Sequence, residues 1–169
     1  MEWSEYKESA IKTMNSDLST SEALQNMAYG LIGEVGEVVD LLKKVKFHGH
    51  KTTREFDDKL IKEIGDVCWY SAVLQSIIKD VTSLGKSNLP EFSPKNHKNL
   101  SGNTNDIVLL LIYDVQDITK DLFSVAFNLD FVDSRPDKHL ALELESTVEK
   151  LAHIYIAVNR VLYACVDLI

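Results

Sequence analysis

The sequence predicts an all-α protein, a four-helix bundle of two helical hairpins with a short extra helix ahead of them. Three observations carry this. Apolar residues recur with a period near 3.6, not 2, through every long segment. Only three Pro and seven Gly fall in 169 residues, which leaves long uninterrupted stretches. Two S/T-x-x-E spacings, Ser19-Thr-Ser-Glu22 and Thr52-Thr-Arg-Glu55, stand where long helices should start.

The elements follow in order. A short helix is expected near Ser4–Met14. A second runs from Ser19 to about Phe47, with Leu24, Met27, Leu31, Val35, Val38, Leu42 and Val45 as its apolar stripe, and Gly49 where a C-terminal stop belongs. A third runs from Thr52 to about Ser83 on a stripe of Phe56, Leu60, Val67, Leu74, Ile78 and Val81. Residues 85–103 hold two of the three prolines with many Gly, Ser and Asn, and read as a linker. Helices at about Thr104–Asn128 and Pro136–Asp167 complete the chain, with Ser134 and Pro136 as cap and first-turn proline. The organisation is one domain over 1–169, with a first hairpin at 19–84 and a second at 104–169.

The two hairpins also suggest an internal duplication. A shift of 80 residues sets Leu31, Ile32, Val35, Leu42, Val45 and Phe47 on Leu111, Ile112, Val115, Leu122, Val125 and Phe127 without a gap. Two unrelated amphipathic hairpins of similar length could align as well.

Composition bounds the function. Hydrophobic residues at 45% and charged residues at 26% are ordinary for a globular domain. Cys68 and Cys165 lie in apolar helical stretches and read as small core hydrophobes. The N-terminus has no apolar signal core. By this reading no stretch approaches the roughly 18 apolar residues of a membrane span, so the expectation is a soluble cytoplasmic protein without a membrane partner. The net charge of −8 argues against binding nucleic-acid backbones.

The chemistry-bearing signal is Glu34-Val-Gly-Glu37 on the second helix and Glu63-Ile-Gly-Asp66 on the third. An i,i+3 spacing puts each pair on one helical face. Glu34 lies about 20° from Met27 and Val45, at the edge of the stripe, and Glu63 lies about 20° from Phe56 and Leu74, inside its own. Carboxylates turned toward a core cannot stay ionised alone. Antiparallel neighbours would bring the two pairs together, and the repulsion calls for a cation between them. Hard oxygen donors suit Mg²⁺ or Mn²⁺. The bland alternative is surface pairing, with Lys59 and Lys62 near Glu63 and Lys44 near Asp40.

A basic run follows: Lys43, Lys44, Lys46, His48, His50, Lys51 and Arg54. Lys43, Lys44, Lys46 and Arg54 are candidate phosphate contacts, weighed against a solvated helix end favoured by the dipole. His48-x-His50 lacks the further ligands that zinc needs. Trp69 and Tyr70, one turn past Asp66, could stack on a base, though core packing is the commoner fate of such residues.

GLIGEVGEVVDLLKKVK followed by KLIKEIGDVCWYSAVL resembles the MazG-like branch of the all-α NTP pyrophosphatases, a superfamily that also holds the dimeric dUTPases and dCTP pyrophosphatases. The shared pattern is E-x-x-E, a gap, then E-x-x-D, here Glu34, Glu37, Glu63 and Asp66, with an earlier E-Y-(x)₆-T at Glu5, Tyr6 and Thr13. It covers about residues 4–80. The resemblance implies Mg²⁺ at the four acids and hydrolysis of a nucleoside triphosphate to monophosphate and pyrophosphate. Glu34 or Glu37 would orient the attacking water, and the chain would act as a homodimer or higher homo-oligomer. The runner-up is a non-catalytic nucleotide-sensing or partner-binding bundle. Under the 80-residue shift, Glu34, Glu37 and Glu63 meet Asp114, Asp117 and Glu143, but Asp66 meets Ser146 and the lysines are gone. The second hairpin is therefore expected to be a decayed copy without a site of its own.

Overall fold

The computed structural model describes residues 2–82, 89–90, 92–93, 103–132 and 140–169, apart from the side chains of 131–132 and 140–145. Five helices are described: α1 (Trp3–Ile11), α2 (Thr20–His48), α3 (Arg54–Thr82), α4 (Thr104–Val132) and α5 (Leu140–Leu168). No strand occurs among the described residues.

Local signals explain the boundaries. Ser19 caps α2: its hydroxyl accepts from the Glu22 N–H, and the Glu22 carboxylate accepts from the Ser19 N–H. Gly49 ends α2 with φ 69°, a left-handed conformation that glycine adopts without Cβ strain. The cap of α3 is Thr53 rather than Thr52, with its Oγ1 accepting from the Phe56 N–H. Glu55 is thereby out of capping register and pairs with Lys59 instead. Helix α4 runs four residues past the expected end at Asn128. Ser134 and Pro136, the expected cap of α5, and most of the 85–103 linker lie outside the described residues.

The four long helices pack in the ring order α2, α3, α5, α4, and α1 lies on α3. Their stripes fill one core, with Leu24, Met27, Leu31, Ile64, Leu74, Leu111, Leu122, Leu151 and Ile154 all but inaccessible. Antiparallel packing of α2 on α4 shows at both ends: Ser21 Oγ donates to the Ala126 carbonyl, and Lys46 Nζ to Asn105 Oδ1. A buried polar relay fixes α1 across α3 and α5. Trp3 Nε1 donates to Gln75 Oε1 at 2.9 Å, Gln75 Nε2 to Asn159 Oδ1 at 2.7 Å, and Asn159 Nδ2 to the Pro90 carbonyl at 2.9 Å.

Two expectations need correction. Residues Ser146–Leu168 of α5 form a helical stretch long and apolar enough to cross a bilayer, contrary to the reading that none approached that length. Its Leu151, Ile154, Val158, Val161 and Leu162 are buried in the bundle, which accounts for the apolarity. The gapless 80-residue repeat also fails at the level of the hairpin. It would set Asp114 opposite residues 143–146, as Glu34 faces Glu63 and Asp66. Asp114 instead meets Arg160, about four helical turns beyond Ser146. A 29-residue α4 continues through the positions that would match the α2–α3 turn, so the second hairpin closes in a different register.

Candidate metal centre

Glu34 projects from the middle of α2, and Glu63 and Asp66 from the facing stretch of α3. One carboxylate oxygen from each lies within 4.8 Å of the others. Close helix approach makes this possible. Next to the acids, the Tyr70 ring lies where a side chain at Gly30 would be, 1.9 Å from the position a Cβ would take. Any larger residue at Gly30 would push α2 off α3.

Burial pushes the Glu34 carboxyl above its ordinary range, and the Asp66 and Glu63 charges push it further in the same direction. Lys62 opposes this: its Nζ bonds Asp66 Oδ2 at 2.9 Å and Glu63 Oε2 at 3.1 Å. An ammonium thus stands beside the acids where positive charge is needed. The pairing anticipated as the bland alternative is present, but it does not empty the cluster of negative charge. Three carboxylates answered by one ammonium leave a net negative pocket of hard oxygen donors, which fits Mg²⁺ or Mn²⁺.

Glu37 is not in this trio. It sits one turn further along α2, exposed, and its charge reaches Glu34 only as the weakest of the influences on it. Lys43 and Lys44 both bond Asp40 on their own helix. Lys46 bonds Asn105 of α4 and lies over the Phe47 ring. Arg54 is exposed at the first position of α3. Trp69 and Tyr70 pack edge-to-face at 4.9 Å, and Trp69 Nε1 donates to Thr13 Oγ1 at 2.9 Å. That bond ties the end of α1 to α3, so the Trp69 N–H is committed to structure. His48 and His50 are exposed and outside the carboxylate trio.

Tyr6 was missed as a neighbour of the site. Its hydroxyl is held above its usual range first by burial, then by the Cys68 and Asp66 charges, so it lies within electrostatic reach of Asp66. The E-Y-(x)₆-T pattern contained it. Helical periodicity gives no hint of where α1 docks.

Residues 22–85 match the model of the MazG nucleotide pyrophosphohydrolase domain. The MazG match spans α2, the turn and α3, and so contains every acid of the trio. The family that the motifs resemble is therefore the one found. The chain is also 37% identical over 68 residues to the Gene 37 protein of Mycobacterium phage L5, covering 40% of this chain and 60% of that protein. No solved structure matches.

Proposed function

We propose that the chain is a Mg²⁺-dependent nucleoside triphosphate pyrophosphohydrolase, converting a (d)NTP and water to a (d)NMP and pyrophosphate. The observation that carries this reading is the convergence of Glu34, Glu63 and Asp66 across the α2–α3 groove, inside the MazG-matching stretch. These three residues would hold the cation. A bound divalent ion supplies Lewis acidity toward phosphate oxygens and lowers the pKa of water.

The remaining work falls to the chain's own groups. Glu34, within the trio, would orient the attacking water and accept its proton. Glu37, exposed one turn away, would orient that water from outside the trio if Glu34 does not. Lys44 and Lys46 are flexible donors for phosphate oxygens beyond the acids. Self-association, a cytoplasmic setting and independence from nucleic acid and membrane belong to the same reading.

Pyrophosphate release from a panel of NTPs and dNTPs, with Mg²⁺ and with EDTA, tests it. Metal-dependent release with a matching monophosphate is expected. Orthophosphate as the product, or no turnover of any nucleotide, would overturn it.

A further inference from the structure

The carboxylate trio already faces a cation of the protein's own. Lys62 Nζ stands 2.9 Å from Asp66 Oδ2 and 3.1 Å from Glu63 Oε2, and among the described residues it alone bonds two of the three acids. Its charge also acts on Glu34, the third. Other lysines of the hairpin are engaged elsewhere. Lys59 bonds Glu55 nearer the start of α3, and Lys43 and Lys44 bond Asp40 on α2.

The acids are anchored and the lysine is not. The Lys62 side chain is 65% exposed, against 18% for Glu63 and 43% for Asp66. Position 62 lies about 100° round the helix from Glu63, away from the apolar stripe, so the stem leaves the acids without disturbing the core. Exposed ion pairs of this kind are weak.

A divalent ion on the same carboxylates changes what Lys62 experiences. Two positive groups drawn to shared oxygens repel, so the ammonium and the ion compete for the trio. The displaced ammonium still has three donors on a flexible four-carbon stem, and its backbone stays beside the acids. A triphosphate bound with the ion brings anionic oxygens to that place, where charge-assisted bonds are strong. One charge thus serves two states: it answers the acids when the metal is absent and the phosphates when metal and nucleotide are present.

We propose that Lys62 is a resident counter-cation that yields the trio to the metal and then holds the triphosphate, so that metal and nucleotide bind as one coupled event. This rests on the hydrolase reading above and deepens it with a residue and an order. Free metal has to compete with the ammonium. A metal–nucleotide complex gives the ammonium a new partner as it takes the old one away. The coupling is reciprocal: nucleotide raises metal affinity by the factor by which metal raises nucleotide affinity.

Lys62→Met separates the two roles, because its effects on the two ligands have opposite signs. Calorimetric titration with Mn²⁺ alone should show tighter binding in this variant by roughly 2- to 5-fold, the effect of losing an exposed competitor. Titration with the Mn²⁺ complex of an α,β-methylene nucleoside triphosphate, run across the common bases and both sugars, should show weaker binding by roughly 10-fold, as for one lost charge-assisted contact. Lys62→Arg keeps the charge and grips carboxylates more stiffly, so it should bind Mn²⁺ no more tightly than the wild type. Unchanged or weaker Mn²⁺ binding in Lys62→Met overturns the counter-cation role, and so does tighter binding in both variants. Unchanged binding of the complex in Lys62→Met overturns the phosphate role. In each of these cases a wild type that binds both ligands leaves the hydrolase reading standing. A wild type that binds neither Mn²⁺ nor any of the complexes overturns that reading, and this proposal with it.

Discussion

The two hairpins solve the same electrostatic problem in opposite ways. Each sets carboxylates into the groove between its helices. In α4–α5, Asp114 is buried and fully answered: Arg160 grips it with three N–H···O contacts of 2.6 to 3.1 Å, a bidentate pair that leaves no site for a cation. In α2–α3, three carboxylates share one flexible lysine, and Lys62 itself is mostly in solvent. A carboxylate locked by an arginine is architecture. A surplus of carboxylates with a displaceable ammonium is a place for a metal.

The sharpest break in that comparison is Glu63→Gln. It removes one donor from the trio and one negative charge from a repelling group. Turnover should fall by at least ~10²-fold, since even supporting partners of a metal site cost that much when lost. Thermal stability without metal should hold or rise. Wild-type activity in this variant would remove the trio from the mechanism.

The converse test is Arg160→Met. It strands the Asp114 carboxylate in a buried position, which costs about 1–3 kcal/mol, towards the low end because half of the arginine side chain is in solvent. Turnover per folded molecule should be unchanged, as it should be for Asp114→Asn. Chemical denaturation and specific activity on the same samples separate the two effects. Lost activity in the folded Asp114→Asn protein would mean that the second hairpin takes part in the chemistry.

The contrast between the hairpins was half legible. The acids of the first were readable because their residue type contradicted their position: Glu63 falls on an apolar stripe, and apolar stripes are one-dimensional information. The partner of Asp114 was not readable. Arg160 lies 46 positions away, and finding it needs the register between α4 and α5, which depends on where a turn falls. The 80-residue shift aligned stripes correctly helix by helix, yet an amphipathic helix can slide by whole turns and keep its face. The same limit explains Tyr6, brought to Asp66 by tertiary docking of α1, and Glu37, whose i,i+3 spacing does not show that α2 turns it outward. The starts of α2 and α3 were visible to within a residue, as Ser19 and Thr53 show, because a cap is a local hydrogen bond.

A pH series sharpens the first hairpin's side. Glu34 has its folded pKa raised above the ordinary 4.5. The folded state therefore binds the proton more tightly than the unfolded chain does. Its contribution favours folding when protonated and is lost as pH rises from about 4.5 through the folded pKa. The metal-free protein should lose melting temperature over that window, and Glu34→Gln should remove this component. Mg²⁺ should cancel the loss, and its affinity should rise with pH because the cation competes with that proton. A melting curve with the same pH slope in Glu34→Gln would show that the carboxylate is not strained.

The smallest effect expected is in the lysines. Lys44 bonds Asp40 and Lys46 bonds Asn105, so each must exchange an existing partner for a phosphate oxygen. What an exchange yields is the difference between two similar charge-assisted bonds, not the full value of one. Replacing both with Ala should raise KM for the triphosphate roughly 3- to 10-fold, equivalent to about 1 kcal/mol. Helicity by circular dichroism should stay unchanged, since both side chains lie near the end of α2. The effect should shrink as salt is added, because both groups are near the surface. Steady-state kinetics at two ionic strengths measure this directly. KM and kcat unmoved at low salt would leave these lysines with one role, complementing the C-terminal dipole of α2, and the phosphates would have to be held by Lys62 once it leaves Glu63 and Asp66.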